Sequence, residues 1–255
     1  MNEWMAELCW GGTLSSAPQG SAAWLDLRKN CGTTGTQACV LAGYPMPFRD
    51  TPQNAMEAWE IKVGLKTRPP PSAGMRAMFK RAHAHEAVSR TFESKHIGAE
   101  IRELGFYKVQ GGYAGVSGDG IYIEPVTQRR IAWENKSPSS RKVFTTLPRY
   151  YFVQVIMEME LLQADAVRWV AFYPCERAED GGQFDVWEIE RKYPVAGHVW
   201  DMLKRRMIAF QKYVESKTPP PESFIEECKE PIPLDEGYTI KKEGSRFVTT
   251  PVADS

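Results

Sequence analysis

The stretch that most constrains the fold of this chain is residues 97–136, where short apolar segments alternate with glycine-rich turns. An alternation of period two, interrupted by glycine, predicts β-strands rather than helices. Residues 117–124 and 131–136 flank a polar turn centred near Thr127, and we predict that they pair as an antiparallel hairpin. The rest of the fold has to be built around this hairpin.

Three charged residues come together at one end of the predicted hairpin. Asp119 lies opposite the end of the second strand, which carries Glu134 and Lys136. These two are two positions apart, so they project from the same face. Two carboxylates can hold a hard cation, while the ammonium group positions or activates an attacking water. The cluster suits metal-assisted phosphodiester hydrolysis, although a Glu-x-Lys pair alone more often belongs to an ordinary surface hairpin.

The segments around the hairpin alternate between helical and strand-like periodicity. Helices are predicted from about residue 21, over 36–41, 51–64, 72–94, 150–163 and 195–216, with further strands over 167–173 and 184–189. The third of these helices should have Thr51 as its N-cap and Pro52 as its first residue. Such an order predicts an α/β fold with a mixed, twisted sheet flanked by helices.

The length of 255 residues and the apolar content of 42% allow one sizeable core. We assign that core to one domain over residues 21–217. Residues 1–20 are predicted to form an irregular N-terminal arm. Residues 218–255 form a charged, proline-containing extension without periodicity, for which partial disorder is one expectation.

Charge and cysteine content narrow the functional classes. The 32 basic and 32 acidic residues cancel, so a nucleic-acid footprint has to come from local clusters of Lys and Arg. The five cysteines are widely spaced without a CxxC pair, which disfavours disulfide, zinc and iron–sulfur frameworks and fits a reducing compartment. No apolar run approaches the ~20 residues of a membrane helix, and a secretory signal pattern is not seen. We expect an intracellular protein without membrane contact.

Several short motifs occur in one order between Trp24 and Tyr173. They are Trp24-Leu25-Asp26-Leu27-Arg28-Lys29, a small-residue turn over 32–36, Ala58-Trp59-Glu60-Ile61-Lys62 with Gly64, a helical Glu86, Ser117-Gly118-Asp119-Gly120, Glu134-Asn135-Lys136-Ser137-Pro138 and Tyr151-Phe152-Val153-Gln154. In this order they resemble the phage lambda exonuclease and YqaJ-type viral recombinase family of PD-(D/E)xK nucleases. Gly118 departs from that pattern, because the family usually has proline there.

The resemblance implies a PD-(D/E)xK (restriction-endonuclease-like) core and a DNA nuclease that depends on Mg²⁺, with Mn²⁺ as a substitute. It assigns Asp119, Glu134 and Glu86 to the metal. Lys136 assists the attacking water, and Gln154 supports the site from its helix.

The resemblance also implies recognition of the 5′-terminal phosphate. Arg28 and Ser117 match family positions that hold this phosphate, and Thr36 is assigned to the same pocket. The planar guanidinium of an arginine engages phosphate oxygens in pairs, which suits the role.

The activity implied in this way is 5′→3′ exonuclease action on the ends of double-stranded DNA, in recombination or DNA processing. A single-strand annealing protein and a ring-shaped homotrimer are implied with it, as is a cytoplasmic location, or the host nucleus for a viral protein. Two alternatives stay open. One is a structure-specific or restriction-type endonuclease on the same scaffold, and the other is a catalytically idle DNA-binding or scaffold protein.

Overall fold

Eight strands and eight helices make up the part of the chain that the computed structural model describes, residues 12–48, 51–68, 70–138 and 144–249. The strands are β1 (Gly12–Ser15), β2 (Phe106–Val109), β3 (Gly115–Val116), β4 (Gly120–Ile123), β5 (Arg130–Lys136), β6 (Ala166–Pro174), β7 (Gly181–Arg191) and β8 (Tyr238–Thr249). The helices are α1 (Ala22–Lys29), α2 (Gly35–Leu41), α3 (Ala55–Val63), α4 (Ala73–Ile97), α5 (Arg149–Leu161), α6 (Val195–Ser216), α7 (Glu222–Lys229) and α8 (Leu234–Gly237). None of these helices has the combined length and apolar character needed to cross a membrane.

The central sheet contains five strands in the order β4-β5-β6-β7-β8. β4 and β5 pair antiparallel with Gly120 opposite Trp133, which confirms the predicted hairpin. β5 and β6 run parallel, and a parallel neighbour requires a crossover, which α5 supplies. The remaining pairs are antiparallel. The prediction of an α/β fold with a mixed sheet flanked by helices is therefore confirmed.

Both faces of the central sheet are covered, and β6 shows why. Its side chains alternate between two apolar clusters, with Val167 and Trp169 on one face and Val170 and Phe172 on the other. The first face packs against α2, α3, α5 and α6, and the second face packs against α4. A strand buried on both sides has a nearly continuous apolar sequence, which is the pattern of this segment apart from Arg168.

The helix ends follow from capping residues, with one correction to the prediction. Ser21 and Ser72 accept backbone N–H groups at the starts of α1 and α4 as N-caps. Helix α3 begins later than predicted, because Asn54 rather than Thr51 is its N-cap. The Thr51 hydroxyl instead donates to the carbonyl groups of Met46 and Phe48, so it stabilises the preceding turn.

The two terminal regions contribute to the sheets. β1, from the predicted N-terminal arm, pairs with β2 in a separate three-stranded sheet, and residues 1–11 of that arm lie outside the described residues. The C-terminal extension supplies α7, α8 and β8, and β8 forms an edge of the central sheet. Ile232, Leu234 and Tyr238 of this extension are buried in the main core. Residues 250–255 lie outside the described residues.

Candidate active site

The end of the β4 and β5 hairpin brings Asp119, Glu134 and Lys136 together. The pairing of Gly120 with Trp133 places Asp119 beside Glu134. The backbone N–H of Asn135 donates to Asp119 Oδ2 at 2.9 Å, and Lys136 Nζ donates to Glu134 Oε1. These two bonds fix both carboxylates against β5.

Gly120 allows this arrangement because no side chain fits at its position. A Cβ atom there would lie 2.5 Å from Ile101 Cγ2 and 3.3 Å from Trp133 Cε3. At Gly118, two residues earlier, the nearest atom to such a Cβ is Leu104 Cδ1 at 3.4 Å, an ordinary contact. The backbone therefore needs glycine after Asp119 but not before it.

The hairpin end opens into a cleft of about 170 Å³. Seven of the predicted site residues line it, namely Arg28, Thr36, Ser117, Asp119, Glu134, Lys136 and Gln154. Gln19, Thr34, Gly35, Gly115, Val116 and Glu158 complete the lining. Residues that are distant in sequence, from α1, α2, the hairpin and α5, thus face one space.

The carboxyl group of Glu134 lies in an unusual environment. The residue is only 4% exposed, and its Oε2 atom has no hydrogen-bond partner within the described residues. Burial and the charge of Asp119 raise the pKa of Glu134 to about 8, against the opposing charge of Lys136. For Lys136, burial lowers the pKa, but the charges of Glu134 and Asp119 outweigh burial and raise it above its ordinary value.

Glu158 is a site residue that the sequence analysis missed. It lies on α5 four residues after Gln154, so both side chains share a helix face. Glu158 is 6% exposed, and its Oε2 atom also lacks a partner within the described residues. Burial and the charge of Glu134 raise its pKa well above the ordinary value. The sequence signal that could have identified Glu158 is its place in the apolar run over 152–161, one helical turn after Gln154.

Glu86 is close to the cluster but does not line the cleft. It is buried on α4, where Arg90 donates to its Oε1 and His83 Nδ1 lies 3.4 Å from its Oε2. Burial and the charge of Asp119 raise the pKa of Glu86 to about 8. The structure therefore brings Glu86 within electrostatic reach of the hairpin carboxylates while Arg90 and His83 face its oxygens.

Two side-chain bonds next to the cluster attach helix α4 to β5 and to the residue that directly follows it. The Ser89 hydroxyl donates to Asn135 Oδ1 at 2.8 Å, and His85 Nδ1 lies 2.6 Å from the Ser137 hydroxyl oxygen. These contacts involve the residues on either side of Lys136. They explain how Glu86 is held near the end of the hairpin.

Two of the residues predicted to bind phosphate, Arg28 and Ser117, are joined through Trp24. The Arg28 guanidinium stacks on the Trp24 ring, with 4.4 Å from Cζ to the ring centroid. The indole Nε1 of Trp24 donates to the Ser117 hydroxyl at 2.8 Å. Within the described residues no carboxylate forms an ion pair with Arg28, and burial lowers its pKa. A half-buried arginine without an acidic partner is available to an anion.

Gln154 and the start of α2 complete the opposite side of the cleft. A Cβ atom at Gly35 would lie 3.2 Å from Gln154 Cγ, so the glycine lets α5 approach the turn. Gln37 Oε1 accepts bonds from both the backbone and the hydroxyl group of Thr34, which closes the turn as a capping box. Thr36, the predicted pocket residue, is half-buried beside them.

The donor set limits what the site can bind. Within the described residues, no group of three or more His, Cys, Asp or Glu side chains is arranged to hold a metal ion. Asp119 and Glu134 therefore stand as a pair of carboxylates, with Glu158 in the lining of the same cleft and Glu86 outside that lining. A cation held by this pair needs further oxygen ligands from water or substrate.

Solved structures with a similar fold include an alkaline exonuclease, LHK-Exo from Laribacter hongkongensis. It is 16% identical, the similarity covers 77% of this chain and 97% of that one, and the TM-score is 0.53. The same enzyme in complex with dAMP gives a TM-score of 0.55 at 16% identity and the same coverage. No family model matches this chain, and no curated protein matches it. The similarity shows that the two proteins share a fold.

Proposed function

We propose that this chain is a metal-dependent DNA nuclease of the PD-(D/E)xK type. One observation carries the proposal. Asp119, Glu134 and Lys136 meet at the end of a hairpin, in a cleft that also contains Arg28, an arginine without a carboxylate partner in the described part of the chain. Two carboxylates beside a cationic pocket suit a substrate that carries phosphate groups.

The residues fit a divalent cation, which we propose to be Mg²⁺, with Mn²⁺ able to replace it. A buried carboxylate oxygen without a partner is costly, and Glu134 Oε2 is such an atom within the described residues. Mg²⁺ is commonly held through one or two carboxylates together with substrate phosphates, so Asp119 and Glu134 suffice as protein ligands. The bound cation would supply neutralisation of the charge that builds on the phosphate in the transition state.

The other site residues take distinct roles in this proposal. Lys136 positions the attacking water from the same strand face as Glu134, and Gln154 supports the cleft from α5. Glu86 is the predicted further carboxylate for the metal. Because Arg90 and His83 face its oxygens, Glu86 has to give up one of these contacts before it binds a cation directly.

The mode of action we propose is 5′→3′ exonuclease cleavage of double-stranded DNA. Arg28, Ser117 and Thr36 line the same cleft as the carboxylates, so they can bind a 5′-terminal phosphate beside the reacting bond. The solved complex of LHK-Exo with dAMP, a nucleoside monophosphate, supports a nucleotide-binding site in this fold. Action in recombination with a single-strand annealing protein, assembly as a homotrimer and an intracellular location belong to the same proposal.

The experiment that tests this function is digestion of matched linear and covalently closed DNA in Mg²⁺. We expect degradation of linear duplexes from their ends, resistance of closed circles, and no activity after extensive chelation with EDTA. Calcium should support binding with little turnover, because its longer and looser oxygen coordination holds the phosphate poorly for in-line attack. Rapid nicking of closed circles would favour an endonuclease on the same scaffold. Absence of metal binding in calorimetry would favour an idle DNA-binding protein.

A further inference from the structure

The C-terminal end of α1 is held by a lysine from another helix. The last carbonyl groups of an α-helix have no partner within the helix and need one from elsewhere. Lys62, near the end of α3, donates through Nζ to the backbone oxygen of Arg28 at 3.0 Å and also to that of Cys31. One side chain therefore stabilises the helix end and the turn that follows it.

This helix end matters because α1 carries the residues at the phosphate side of the cleft. Trp24 ties the first half of α1 to the hairpin through its bond to Ser117, and the Arg28 side chain stacks on Trp24. Lys62 donates a hydrogen bond to the backbone oxygen of Arg28 itself. The position of the Arg28 guanidinium thus depends on two contacts, one at each end of the helix.

We propose that Lys62 is a positioning residue that fixes the backbone of Arg28 and so directs its guanidinium toward a terminal phosphate. The inference rests on the proposed function, because it concerns the same pocket. Lys62 does not line the cleft, so it acts through Arg28 rather than by contact with substrate.

The surroundings of Lys62 argue against a purely incidental contact. Burial lowers the pKa of Lys62 to about 8; Cys31 opposes this change, and the nearby charges of Arg28, Arg68 and Lys108 add to it. A solvent-facing lysine would avoid both effects. Lys108 offers a natural comparison, because its Nζ donates to the backbone oxygen of Asn30 at the same helix end but not to that of Arg28.

The test compares Lys62→Met with Lys108→Met on duplexes that carry a 5′-phosphate or a 5′-hydroxyl end. The quantity measured is the ratio of kcat/KM for the two ends, with binding of the same duplexes in calcium followed by fluorescence anisotropy. We expect Lys62→Met to lower the phosphate preference by about three- to tenfold, the effect of weakening one hydrogen-bonded contact. Lys108→Met should leave the ratio unchanged.

A double variant separates positioning from a general loss of stability. If Lys62 acts through Arg28, adding Lys62→Met to Arg28→Ala should not change the ratio further, since there is no guanidinium left to misplace. Thermal melting checks the folded state, and Lys62→Gln, which retains an amide donor, replaces Lys62→Met if that protein melts below the assay temperature.

The failure of the inference and the failure of the proposed function give different results. A wild-type protein that prefers 5′-phosphate ends, together with an unchanged ratio in the Lys62 variants, overturns only the role of Lys62. Equal loss of activity on both ends in Lys62→Met also overturns it, because that is the mark of a structural residue. A wild-type protein without any phosphate preference overturns the end-recognition mode and the inference with it.

Discussion

The two sides of the cleft are built in different ways. On the carboxylate side, Asp119, Glu134 and Lys136 come from one hairpin, and the strand register and short local bonds place them. On the phosphate side, Arg28 depends on contacts with residues far away in sequence, such as the bonds from Trp24 to Ser117 and from Lys62 to Arg28. The comparison suggests that chemistry and end recognition can be damaged separately.

The largest effects should follow changes on the carboxylate side. We expect Asp119→Ala, Glu134→Gln and Lys136→Ala each to reduce cleavage by at least about a hundredfold, because each removes a group that acts on the metal or the transition state. Rates on 5′-phosphate and 5′-hydroxyl ends should fall together. Glu100→Gln, at an exposed carboxylate outside the cleft, is the matched control. Turnover close to wild type in any of the three folded variants would remove that residue from the mechanism.

A smaller and selective effect should follow the loss of Arg28. Arg28→Ala removes a charge-assisted hydrogen bond worth roughly 1.5–3 kcal/mol, so the rate advantage of 5′-phosphate over 5′-hydroxyl ends should fall by about tenfold or more. The measurement is the ratio of initial rates on the two duplexes. If Arg28 only contacts the DNA backbone, the rates on both substrates will fall equally and their ratio will not change.

The glycines around Asp119 provide a test of the hairpin itself. Gly120→Ala forces a Cβ to within 2.5 Å of Ile101 Cγ2, and such overpacking costs roughly 1–3 kcal/mol of unfolding free energy. Gly118→Ala makes only ordinary contacts and serves as the control. Denaturant unfolding should show a lower free energy of unfolding for Gly120→Ala but not for Gly118→Ala. The activity of Gly120→Ala should also be lower. Equal stability of the two would mean that the backbone at Gly120 can move aside.

The smallest effect concerns two glutamates on α5. Glu160 Oε1 accepts bonds from Arg191 at 2.8 Å and Tyr238 at 3.0 Å, whereas Glu158 lies beside Glu134 with one oxygen unpartnered within the described residues. Glu158→Gln should therefore stabilise the cation-free protein by about 1 kcal/mol, since a neutral amide replaces a carboxyl group that burial and the neighbouring Glu134 make costly to ionise. Glu160→Gln should destabilise it. Thermal melting in EDTA measures the stability of both variants. A loss of stability in both would contradict the assignment of Glu158 as an unpaired group.

Local patterns in the sequence determined much of the fold and one side of the site. Period-two alternation and the turn near Thr127 predicted the hairpin, and the two-residue spacing of Glu134 and Lys136 placed them on one face. The predicted helix starts near residues 21 and 72 match α1 and α4, whose N-caps in the structure are Ser21 and Ser72. These features depend on residues within a few positions of each other, so the backbone geometry of a single element is enough to derive them.

Only the tertiary structure decided the surroundings of those residues. The burial of Glu158 against Glu134, the contacts of Arg90 and His83 with Glu86 and the hold of Lys62 on the Arg28 backbone all depend on how separate elements pack. The edge strand β8 likewise pairs with β7 across a long connection and has no apolar alternation strong enough to predict it. Periodicity describes which side of one element is apolar, but it does not describe which distant side chains contact that side. The hydrogen bonds, electrostatic interactions and pKa values of this cleft depend on those long-range contacts.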